Sequence, residues 1–256
     1  MNLCSLNNYN NNKYNVSFGK KIPINAYGNV SIPFVKEIQS SIAEYPQTIL
    51  SKILKDGLID DIRIATKASN AFPEFPDLRK QLKEETVHGV LPPMTWDDFL
   101  AGVAVSHECS GKLFKILGFF ESPSSVYTKA NKGTVGHELS HKVDEWLKNL
   151  SGVKISQTDS FKNAVRKDIE QLPERLKLNP YLHQKWGEEN INYLTQSSTS
   201  DNLNTYGLGE IFAECGAANT TGTASEISIK AKFMKNFFPE SYQYVQKFLY
   251  LMGMRK

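Results

Sequence analysis

His137 and His141 bracket an acid in the pentapeptide His137-Glu138-Leu139-Ser140-His141. On a helix, residues four apart lie one turn above another on a single face, so both imidazoles reach one tetrahedral cation. Glu138 points beside that face, where a carboxylate can take a proton from a water that the cation activates. Only five histidines occur in the 256 residues, which makes this pairing with an intervening acid a poor match to chance. The pattern predicts a zinc site with one Zn2+ per chain and Glu138 as the candidate base.

Two histidines leave a third protein ligand to be found. Glu188, Glu189, Asp201, Glu210 and Glu214 follow in the chain, and the first three stand in stretches that read as irregular. Glu210 and Glu214 stand in Gly209-Glu210-Ile211-Phe212-Ala213-Glu214-Cys215, a short helix that puts both on one face. One acid can bind metal while the other hydrogen-bonds a ligating imidazole and fixes its tautomer. Tyr206 comes one turn before Glu210, where a phenol can stabilise an oxyanion, although 11 tyrosines make spacing alone a weak signal.

The elements that must hold these groups are legible in outline. Val135, Leu139, Val143, Trp146, Leu147 and Leu150 fall on one arc of a helix over Thr134 to about Leu150. His137 and His141 fall on the other side, with Asp144 and Lys148 near them, so one stripe packs while the histidines face a cleft. Further helices are predicted around Phe161 to Leu172, over 209–218 and 225–238, and from Pro239 onward. Between Leu172 and Tyr206 the chain reads as irregular. Upstream, Ile49, Ile53 and Leu54 take helical spacing up to Gly57, and Leu58 to Ile64 alternates like a strand. Strands are also predicted at 101–105 and 113–120, Gly118 marking a bulge or close approach. Prolines 73, 76, 92 and 93 punctuate the stretch between, with a charged helix at Asp77 to Glu85. The class is α+β: a small twisted sheet, an active-site helix and a mainly helical C-terminal lobe.

These motifs carry a family resemblance. Gly136 to Asp144, then Tyr206-Gly207 and Glu210-Ile211-Phe212-Ala213-Glu214, resembles the catalytic domain of anthrax toxin lethal factor and the Pro-Pro endopeptidases. Leu50 to Ile64, Asp77 to Leu82 and Thr95-Trp96-Asp97-Asp98 extend the resemblance over about residues 45–250. It implies a zincin-like metalloprotease fold, with His137, His141 and Glu210 as zinc ligands, Glu138 as general base and Tyr206 as the oxyanion-stabilising phenol. Glu214 and Asp144 stand behind the ligands. Two departures stand out. The long interval from His141 to Glu210 implies an insertion over about 155–200, and Tyr206 lies closer to Glu210 than the family spacing. Tyr193 is the alternative phenol.

The activity implied is endopeptidase hydrolysis of a protein or peptide bound as an extended strand, for which a strand at 112–120 is a natural edge. The rival from another class is a non-catalytic zincin-like docking module. Retention of His137, Glu138, His141 and Glu210 together weighs against it. Hydrolysis of a non-peptide amide is a third reading.

Composition narrows the classes further. Thirty Lys and Arg against 27 Asp and Glu give a formal charge of +3, too balanced for a broad phosphate-neutralising surface, so no nucleic acid is expected. No apolar run approaches the roughly 20 residues of a membrane span. Cys4, Cys109 and Cys215 are scattered and odd in number, which predicts a reducing compartment. Residues 1–20 read as a flexible Asn-rich leader ahead of one domain over 21–256, with an α/β lobe over about 45–150 and a helical lobe over about 151–256. The start shows no basic segment followed by an apolar core. Together with the resemblance, this predicts a bacterial toxin or effector secreted or delivered into a host without a standard signal peptide; the alternative is an intracellular bacterial protease.

The remaining features take plain readings. His107-Glu108 with Cys109 reads as a surface turn, and His88 and His183 as loop residues. Lys230, Lys232 and Lys235 form the solvated face of a helix, and Tyr244, Phe248, Leu251 and Met252 a core stripe.

Overall fold

The computed structural model describes residues 13–16, 22–66, 70, 116–121, 132–220 and 225–253. Outside them lie the predicted helix at 77–85, the strand at 101–105, the Trp96-Asp97 pair, His88 and the His107 to Cys109 cluster. The described residues fall in two compact units, Met1–Gln39 with Ile59–Asn131 and Ser40–Leu58 with Lys132–Lys256.

The first unit holds a four-stranded sheet in the order β1 (Lys13–Val16), β2 (Ile22–Tyr27), β3 (Asp61–Ala65), β4 (Ile116–Phe120). β1 runs antiparallel to β2, while β2, β3 and β4 are parallel. β1 lies inside the Asn-rich start and is held there by backbone pairing. Parallel strands are covered on both faces and read as continuous apolar runs. β3 obeys this, with Ile62, Arg63, Ile64 and Ala65 all buried. Arg63 is admitted because its Nε donates to Asp61 at 2.8 Å and its guanidinium stacks over Tyr27. Gly118 pairs in register with Arg63, so β4 carries no bulge against β3 at that point. Beyond β4, Glu121 accepts from the Ser31 amide at 2.7 Å and from its hydroxyl. Ser31 in turn caps α1 (Ile32–Glu44) by accepting from the Phe34 amide.

The second unit is helical: α2 (Gln47–Lys55), α3 (Lys132–Ser151), a 3-10 turn at Ile155–Gln157, α4 (Asp159–Leu178), α5 (Pro180–Thr195), α6 (Thr205–Thr220), α7 (Ser225–Phe237) and α8 (Pro239–Leu251). The α+β class stands. Of the stretch expected to be irregular before Tyr206, the part up to Thr195 is helical, broken only at Asn179, and residues 196–204 alone form a loop. α4 runs on through Pro173, which removes a single ladder bond, and Asn179 ends it. Pro180 then opens α5 at a position where its missing N–H costs nothing.

α6 is the centre of this unit, with eleven of its sixteen residues buried and α3, α4, α5, α7 and α8 all packed on it. It starts a turn earlier than the sequence suggests because Asn204 Oδ1 accepts from the amides of Tyr206 and Gly207. The core around it is aromatic: Phe161 meets Phe212 and Tyr244, and Phe212 meets Phe248. The expected C-terminal stripe is only partly right: Tyr244 and Phe248 make these ring contacts while half-buried, Met252 is half-buried at the helix end and Leu251 is exposed, whereas the face that α8 buries carries Tyr242, Val245 and Leu249. Asp168 of α4, fully buried, accepts from the Glu240 and Ser241 amides, the Ser241 hydroxyl and Arg175. It caps α8 from another helix. No helix among the described residues is long and apolar enough to cross a membrane.

Candidate metal centre

The histidine helix α3 is buried on more than its apolar stripe. Val135, Leu139, Val143 and Trp146 pack as the arc predicts, but Leu150 is exposed because the last turn of α3 outruns its neighbours. The opposite face does not front open solvent: His137, Ser140, His141, Lys142 and Asp144 are all buried. What covers the histidines is α6, which lays Glu210 and Glu214 against them.

The donor atoms converge. His137 Nε2 lies 3.0 Å from His141 Nε2 and 3.2 Å from Glu210 Oε2, and His141 Nε2 lies 3.6 Å from Glu210 Oε1. Two donors on a tetrahedral zinc at about 2.0–2.1 Å each stand roughly 3.3 Å apart, so the three separations straddle the spacing such an ion needs. The chemistry of the set agrees. Glu214 Oε1 is 3.2 Å from His137 Nδ1, and an Nδ1–H facing that carboxylate leaves the Nε2 lone pair directed at the other donors. His137, His141 and Glu210 therefore fit a bound cation.

The electrostatics report the same crowding of negative charge. Burial works to lower the His137 pKa, but the Glu214 and Glu210 carboxylates outweigh it and push the value up to about 10. Against its own burial, Glu210 is held well below the ordinary carboxylate range by hydrogen bonds and charge from the two imidazoles. Burial and the Glu210 carboxylate both push the Tyr193 phenol well above its usual value. In α3, burial brings the Lys142 ammonium down to about 8, opposed by the charges of Glu138 and Glu145.

The other predicted residues land as follows. Glu138, half-buried, follows His137 on α3, and its charge is felt at the Tyr193 phenol. Glu214, buried, backs His137. Asp144 spends its oxygens on Ser156, accepting from its amide at 3.0 Å and its hydroxyl at 2.5 Å, and so ties the 3-10 turn to α3. Tyr206 stands on the first turn of α6 with 63% of its surface exposed. The hydroxyl that reaches Glu210 Oε2 is that of Tyr193, from the last turn of α5. Asp201 is exposed in the loop before α6, Glu188 and Glu189 lie within α5, and His183 is half-buried on the same helix.

Sequence reasoning passed over Ser140, Gly216 and Tyr45. A Cβ on Gly216 would meet Ser140 Oγ at 2.1 Å, and Tyr45, buried, places its hydroxyl 3.4 Å from the same oxygen. The signal available was the run of small residues after Glu214.

No protein-family model matches the chain, and no curated protein matches it. Among solved structures it is similar to the Pro-Pro endopeptidase from Paenibacillus alvei, at 17% identity and a TM-score of 0.46, over 90% of this chain and 98% of that one.

Proposed function

We propose that the chain is a zinc-dependent metalloendopeptidase of zincin type, with His137, His141 and Glu210 as ligands. The observation that carries this reading is the convergence of those three donors at 3.0–3.6 Å with a carboxylate behind His137 Nδ1. Bound there, zinc would supply a Lewis acid that polarises a peptide carbonyl and lets a water give up its proton readily enough to attack it.

The chain's own groups do the rest. Glu138 takes the proton of the attacking water and returns it to the leaving amine. Glu214 holds the His137 imidazole in the tautomer that presents Nε2. Tyr193, rather than Tyr206, donates to the oxyanion that develops on the substrate, since its hydroxyl already reaches a ligand carboxylate. The substrate is a protein segment taken in extended form, and a role as a toxin or effector delivered to a host, with residues 21–256 acting as one catalytic domain, completes the reading.

Zinc content and peptide-library cleavage, measured on wild type and Glu138→Gln, test it together. One zinc per chain in both proteins, with cleavage lost only in the variant, is expected. A wild-type chain that takes up no zinc, or binds zinc and cleaves no peptide, refutes the protease and favours a docking module.

A further inference from the structure

α3 and α6 cross at a point where neither carries spare bulk. A Cβ on Gly216 would lie 2.1 Å from Ser140 Oγ and 2.7 Å from Ser140 Cβ, whereas ordinary contact begins near 3.4 Å. Ser140 cannot simply swing aside. Its hydroxyl donates to the Gly136 carbonyl at 2.7 Å and lies 3.4 Å from the hydroxyl of Tyr45, itself buried. On α3 the serine directly precedes His141; on α6 the glycine follows Glu214 by two residues. This close approach thus lies within two helical turns of every donor.

We propose that Ser140 and Gly216 are a matched pair of positioning residues that set the distance between α3 and α6, and so bring Glu210 and Glu214 onto His137 and His141. Neither touches the ion; both act through the backbones that carry its ligands. Bringing the added carbon to ordinary contact would part the helices by more than 1 Å. Ligand sets tolerate about 0.5 Å before they lose function. This inference rests on the zinc reading above.

The test compares zinc affinity, by competition with a chromophoric chelator, in the full chain as wild type, Gly216→Ala, and Gly216→Ala with Ser140→Gly. Thermal unfolding of the zinc-free proteins is followed in parallel. Gly216→Ala is expected to bind zinc at least about tenfold more weakly, the scale on which disturbed support of ligands is felt. The double variant is expected to return to within about threefold of wild type, because residues in contact couple. Gly216→Ala that folds and binds zinc like wild type overturns the proposal, and so does a folded double variant that stays weak. If the single variant does not fold, the double decides. Its failure to fold also overturns the proposal, since among the described residues the atoms nearest the added carbon all belong to Ser140. Wild type that takes up no zinc brings down the zinc reading itself, a distinguishable result.

Discussion

Removing the carboxylate of Glu214 should weaken zinc binding by an amount that depends on pH in a definite direction. Oε1 stands 3.2 Å from His137 Nδ1, and both side chains are less than a tenth exposed. Drawn from a charge contact into a hydrogen bond when the ring binds the ion, a pairing with a charged partner nets about 1.5–3 kcal/mol, which at about 1.4 kcal/mol per decade corresponds to roughly 10–150-fold in affinity. Glu214→Ala forfeits all of this. Glu214→Gln keeps a neutral acceptor and forfeits about half the free energy, a loss of roughly 3–12-fold. A proton competes for the same imidazole, however. The wild-type protein must shed it to bind zinc at any pH below about 10, and Glu214 is the largest cause that raises this value. Without Glu214 that competition weakens, which partly compensates the loss at neutral pH. The gap between wild type and Glu214→Ala should therefore widen as pH rises from 7 to 9. Chelator competition at both pH values reads it directly. Equal affinities at pH 9, or a gap that narrows on the way up, would refute the assignment of Glu214 to His137.

The same imidazole leaves a mark on the metal-free protein. Its folded pKa of about 10 exceeds the ordinary 6.5, so its contribution is complete below about 6.5 and is lost as pH rises through 10; zinc-free thermal stability should fall over that window. A flat profile would exclude a charged His137. Asp168→Ala should cost about 3–5 kcal/mol, a Tm loss of roughly 6–20 °C, because it takes the carboxylate from Arg175 and uncaps the first turn of α8; calorimetry showing less than about 1 kcal/mol would contradict this. Tyr193→Phe should lower kcat by about 10²–10³ with zinc affinity kept, while Tyr206→Phe stays near wild type. Steady-state kinetics with the two results exchanged would return the role to Tyr206.

Local periodicity explains what the sequence discloses. The 3.6-residue repeat places His137 over His141 whatever surrounds them, and Pro239 marks the start of α8 through its own backbone chemistry. Glu210 and Glu214 share a face for the same reason. Contacts between distant segments are not written in that way. The burial of the histidine face follows from α6 crossing α3 at Gly216, and the reach of Tyr193 to Glu210 follows from how the end of α5 meets α6. Lys142 shows this most sharply: a lysine on a polar-looking face reads as solvated, yet the folded chain buries it. α5 was hidden for a different reason, since its mixed polar and aromatic residues give no clean stripe and its start depends on Pro180.

The central place of α6 has a kinetic meaning. Backbone amides exchange with solvent through openings whose cost grows with the packing that must be undone. A helix buried at eleven of sixteen positions among five others should hold the slowest-exchanging amides of the unit. Tyr193 sits elsewhere, on the final turn of α5, just before Gln196 and Ser197 in left-handed conformation. Fluctuations that fray that turn withdraw the phenol while α6 keeps its carboxylates in place. Partly opened molecules are then expected to retain their ion and lose turnover, so that on heating, activity fades before the metal is released.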